Sequence, residues 1–115
     1  MSKPTKETRT EKYELCEKKL FEEIANLESS LVVKKFLGEL LTPSEMLMVK
    51  RRWYIACLLM EGFNIRAVAK EANVSTQTVV SVKRALEKSE WFKNLAGSVL
   101  GKEVEKLAKT RYFFG

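Results

Sequence analysis

Histidine is absent from the 115-residue chain, and cysteine occurs only twice. Without His the chain lacks the side chain that most often moves protons near neutral pH, and the mixed Cys and His sites that hold structural zinc are excluded. Cys16 and Cys57 lie far apart with no C-x-x-C spacing, so no local redox motif is expected either. Each falls on the apolar face of a helical pattern, where a free thiol packs as a small hydrophobe in a reducing cytoplasm. Five Gly and two Pro leave few breaks, which favours an all-α chain. The longest apolar run, Trp53 to Met60, is far short of the roughly 20 residues that cross a bilayer. The N-terminus is dense in Lys, Arg and Glu, unlike a secretory leader. The expectation is a soluble, cytoplasmic protein. No grouping of nucleophile, base and oxyanion donors is visible, so neither enzyme activity nor a cofactor or metal is expected.

Of the residues present, 45% are apolar, ample for a core, and the net charge of +6 suits a polyanionic partner. The length predicts one domain with short tails. Residues 1–8 lack periodicity and read as a flexible basic arm, 9–110 as a single helical domain, and 111–115 as a C-terminal tail.

Within the domain, Tyr13, Cys16, Leu20, Ile24 and Leu27 recur at helical steps and predict a first helix from about Arg9 to Leu27. Val33, Phe36, Leu37 and Leu40 predict a second from about Ser30 to Leu40, with Ser29 or Ser30 as its cap. The sharpest boundary is Leu41-Thr42-Pro43-Ser44-Glu45-Met46. Thr stands at the N-cap, Pro at the first helical position and Glu at the third, which is a capping box, and Leu41 and Met46 stand where a hydrophobic staple joins. The helix that follows runs to about Glu61 and stops at Gly62, a residue suited to the left-handed conformation. Its second half is apolar around most of its circumference and must be covered on several sides. A last helical region opens at Ser89 and carries Trp91, Phe92, Leu95, Val99, Val104 and Leu107. Gly97 and Gly101 either break it or admit another backbone. Tyr112, Phe113 and Phe114 form an apolar end. Trp53, Trp91 and Phe92 are read as core or interface rather than as base-stacking platforms.

The most specific stretch is Ile65 to Arg84, which reads as a helix-turn-helix, with the whole motif spanning about 65–88. Asn64 caps its first helix. Val68 and Ala72 supply the inward face, and Ala69 beside them is small enough to let a second helix approach. Asn73 marks the turn, where a positive φ is needed and Asn tolerates it. Val74 enters the core, and Val79 and Val82 continue it at helical spacing. The remaining face carries Ser75, Thr76, Gln77, Val80, Ser81 and Arg84, mostly the side-chain types that meet base edges and phosphates. Lys83, Arg84 and Lys88 form a basic patch for phosphate or base contact, and Arg66 near the start of the first short helix is a further phosphate candidate. Arg51 and Arg52 meet phosphate or pair with acids. A plain helical hairpin is the alternative, and it does not account for the ordered small, turn and branched positions.

From Leu41 to Lys88 the chain resembles the Trp repressor family. The likeness rests on LTPSE opening the central helix, on Arg51-Arg52 within it, and on Met60-Glu61-Gly62 closing it just before the helix-turn-helix. The resemblance implies an all-α, intertwined homodimer that binds double-stranded DNA and regulates transcription. In the family's founding member tryptophan lies between the central and reading helices, held by an Arg on each, and a Gly leaves room for the indole. Arg52 matches the first Arg. With a one-residue gap after Gly62, Ser81 and Val82 stand where the family has the second Arg and the Gly. Tryptophan is therefore not expected as a ligand. Two other readings are a DNA-recognition protein of a mobile element, which an adjacent transposase gene would favour, and a helical protein-interaction module, which loss of DNA retention at low salt would favour.

Overall fold

The structure, a computed structural model, describes residues 10–100. The expected arm at 1–8, the tail at 111–115, and Gly101, Val104 and Leu107 lie outside the described residues. Among those described, helices are joined by short turns and no strand occurs: α1 (Glu11–Ala25), α2 (Ser30–Leu40), α3 (Pro43–Met60), α4 (Ile65–Ala72), α5 (Thr76–Lys88), and helical residues 90–100, denoted α6. They divide after Pro43 into two compact units.

The first unit holds α1 and α2. Thr10 caps α1 by accepting from the Tyr13 N–H at 3.3 Å, and Ser29 caps α2 by accepting from Val32 N–H at 3.2 Å. Each cap satisfies one of the donors that a helix start leaves open. The apolar periodicity forms the helices and half-buries Leu20, Ile24, Leu27, Val33, Phe36 and Leu37. Neither contains a buried residue, and Phe21 and Leu31 are 63% and 76% exposed. Cys16 is exposed too, against the expectation that it packs as a hydrophobe. Glu22 meets Lys18 at 3.9 Å and Lys19 at 3.2 Å, exposed pairs of the kind that contribute little.

The second unit carries the core. α3 begins at Pro43 and ends in a Schellman turn: Gly62 has φ +98°, its N–H reaches the Leu59 carbonyl at 3.1 Å, and the Phe63 N–H reaches Leu58 at 3.4 Å. Four successive α3 residues, Ile55 to Leu58, are buried, so this part of the helix is covered on every side. Leu47, Met48 and Val49, about two turns earlier, stay about half exposed. The core joins Ile55, Ala56 and Leu58 to Val68, Ala69 and Ala72 of α4, Val79, Val82 and Leu86 of α5, and Ala96 of α6, with Val74 packed against it from the turn. Ser89 caps α6 by accepting from the Phe92 N–H at 3.1 Å. Gly97 does not break that helix. A Cβ there would stand 3.0 Å from the flexible end of the Met60 side chain, with no backbone atom of another helix near it. Burial raises the pKa of the Cys57 thiol above its ordinary value.

Candidate nucleic-acid interface

Three local signals place α4 against α5. Asn64 starts α4 by accepting from the Ala67 N–H at 2.8 Å. Asn73 ends it in the left-handed region, φ 55° and ψ 54°, and is the one described non-glycine residue with positive φ. Around it the Asn73 N–H reaches the Lys70 carbonyl at 3.3 Å and the Val74 N–H reaches Ala69 at 3.0 Å, a second Schellman turn. Ser75 then caps α5, accepting from the Thr78 N–H at 3.2 Å, while its hydroxyl also meets the Thr78 hydroxyl at 3.0 Å. The result is a tight helix-turn-helix whose inner contact is Val68, Ala69 and Ala72 against Val79 and Val82.

With the 79, 82 and 86 stripe of α5 turned into the core, a helix repeat of 3.6 residues sends 77, 81, 84 and 88 to the opposite side. The structure places them there. Gln77, Val80, Ser81, Arg84 and Lys88 line one shallow groove along the outer side of α5. Gln77, Ser81, Arg84 and Lys88 are exposed, Val80 is half-buried, and Thr76 stands exposed at the helix start. The arrangement offers an amide, two hydroxyls and two cations to a partner, with one aliphatic contact.

Three of the sequence-derived candidates stand elsewhere. The Ser75 hydroxyl is engaged at the cap, so its first role is to start the helix. Lys83 lies a sixth of a turn or so from the buried stripe rather than opposite it, and lines a separate cavity that Arg66 also lines. Residues 44–100 carry nine Lys or Arg against five Glu, and among the described residues none of those cations forms an ion pair. Their positive field is available to a partner. Glu71 of α4 instead accepts a hydrogen bond from the Tyr54 hydroxyl of α3 at 3.0 Å. That bond, then desolvation and the carboxylate charge, raise the Tyr54 pKa above its ordinary value.

Where the resemblance implies a ligand pocket, Val82 is only 1% exposed and belongs to the core, and Ser81 points outward. Arg52 is exposed. Trp53 and Phe92 approach with ring centroids 6.1 Å apart, while Trp91 is 74% exposed. No described helix is long and apolar enough to cross a membrane.

The family model described as Trp repressor protein matches residues 17–95, which spans α2 to α5 and most of α1 and described α6. No curated protein and no solved structure matches the chain.

Proposed function

The chain belongs to the Trp repressor family of DNA-binding helix-turn-helix regulators, and from that premise we propose that it binds a specific duplex sequence as a homodimer and regulates transcription from it. The observation that carries this reading is the outer side of α5, where Gln77, Ser81, Arg84 and Lys88 share one groove on a rigidly capped helix. A helix of this width enters the major groove, where base edges carry a distinct donor and acceptor pattern. Thr76 and Gln77, at the exposed start of α5, meet base edges. Arg84 and Lys88 meet the phosphate backbone, with Ser81 between them and Val80 as the apolar contact. Arg66 and Lys83, around the edge, reach phosphates where the backbone crosses the α3–α4 turn. Ser75 contributes by holding the helix start.

One short reading helix makes few base contacts, so two copies on adjacent major-groove faces are needed for useful affinity. What supports the homodimer is α1 and α2, which contain no fully buried residue, together with the half-exposed Leu47, Met48 and Val49 of α3. Apolar surface of this extent on a small chain is that of an interface. Tryptophan is not the effector in this reading, because Val82 fills the space and Ser81 carries no cation. The protein acts in the cytoplasm.

Two measurements test it. Sedimentation equilibrium at micromolar concentration should report a dimer, and a monomer with stable helical circular dichroism refutes the dimer. Selection from a random duplex pool should enrich one motif arranged as two half-sites, and recovery of unenriched DNA refutes sequence-specific binding.

A further inference from the structure

A second concavity lies on the same unit, away from the outer side of α5. It occupies about 630 Å³ where the α3–α4 turn faces the second half of α5 and the start of α6. Leu59, Phe63, Ile65 and Leu86 supply apolar walls, and Arg66, Lys83 and Lys93 supply three cations from three different segments. Glu87 is the one carboxylate among the lining residues. None of the four charged groups forms an ion pair among the described residues. All three cations are exposed, so water screens their mutual repulsion and each is free to turn toward an anion in the hollow. Phe63 adds a large aromatic side chain 52% exposed at this site, next to a turn whose Gly62 carries no side chain to cover it.

We propose that this cavity binds a small organic monoanion with an apolar body, an aromatic or branched aliphatic carboxylate. Its size is that of small-molecule sites, which combine mostly apolar walls with a few convergent polar groups. The charge balance selects the occupant. Three cations less Glu87 leave a surplus of two, enough to hold one carboxylate, with Arg66 able to grip both oxygens. The positive end of α4 adds to the same field. The apolar body lies against Leu59, Phe63 and Ile65, surface that a sugar-phosphate backbone does not match. The site is distinct from the space beside Val82, and it shares Arg66 and Lys83 with the proposed phosphate contacts, so a duplex and a small anion compete for those two cations.

The full chain should be titrated with 1-anilinonaphthalene-8-sulfonate as the anionic probe and with N-phenyl-1-naphthylamine as its uncharged counterpart, followed by fluorescence and by amide chemical shifts. The expected result is one saturable site per chain for the anionic probe, at least about tenfold tighter than the neutral one, a difference of about 1.4 kcal/mol. The shifts should centre on residues 62–66 and 83–87. The double variant Arg66→Gln, Lys83→Gln should lose about tenfold in affinity for the anionic probe and keep that for the neutral one, with its helical circular dichroism intact. Equal binding of both probes, or shifts centred on α1 and α2, overturns the proposal. So does a double variant that binds the probe normally and loses only duplex affinity, or one whose association state changes, since the cavity would then serve DNA or a second copy of the chain.

Discussion

Replacing Val82 by Ala separates a packed core position from a ligand pocket wall. The Val82 side chain is 1% exposed and sits among Val68, Val79 and Leu86 in the core of the second unit. Truncation removes two methyl groups worth about 0.8 kcal/mol each in transfer from water. The vacated space adds a cavity cost that brings the loss to about 2–3 kcal/mol, because the surrounding helices relax only in part. Alanine is the better helix former by roughly half a kcal/mol, which offsets some of it. The net expectation is about 2 kcal/mol, or a fall in Tm of about 8–15 °C for a domain of this size. Urea unfolding followed by helical circular dichroism measures it, with both proteins at one concentration because a dimer's stability depends on it. Ser81→Ala, one position away on the exposed side, is the control and should stay within about 0.5 kcal/mol. If Val82→Ala costs no more than Ser81→Ala, the space around position 82 is open and the core described above is wrong.

Asn73→Gly should be neutral to within about 0.5 kcal/mol, whereas Asn73→Val, a branched residue forced to φ 55°, should cost at least about 1–2 kcal/mol in thermal unfolding. Tyr54→Phe removes the hydrogen bond to Glu71 and should cost less than about 1 kcal/mol at pH 7. Because the Tyr54 pKa is raised in the folded state, its contribution is complete below the ordinary tyrosine value of about 10 and is lost as the pH rises through the raised one. The gap between wild type and Tyr54→Phe should therefore close in strongly alkaline urea titrations, and a constant gap contradicts the assignment. Calorimetry with L-tryptophan should show no saturable heat up to millimolar ligand, that is, binding weaker than about −4 kcal/mol.

The elements legible in the sequence are those whose boundaries are set locally. Asn64, Asn73, Gly62 and Ser89 each act on backbone groups within a few residues, so residue type and spacing announce them, and all four stand where expected. Direction around a helix is less visible. Lys83 and Arg84 are neighbours in sequence and read as one basic patch, yet 100° of helical rotation between them sends Arg84 to the outer groove and Lys83 to the cavity. Ser75 reads as a polar contact because a cap and a binding residue use the same side-chain types. Cys16 and the apolar stripes of α1 and α2 show the limit of periodicity, which reports an apolar face without saying what covers it. The cavity itself is assembled from three segments, and no local pattern encodes it.

In the proposed function, α5 reads DNA. Fluorescence anisotropy with the selected duplex, at several salt concentrations, tests it on Gln77→Ala and Arg84→Ala. Gln77→Ala should relax preference at one or two base pairs and cost about 1–3 kcal/mol on the preferred sequence. Arg84→Ala should weaken all sequences about equally and make the salt dependence shallower by roughly one phosphate contact per subunit. If both variants stay folded and leave affinity, preference and salt slope unchanged, α5 is not the reading helix.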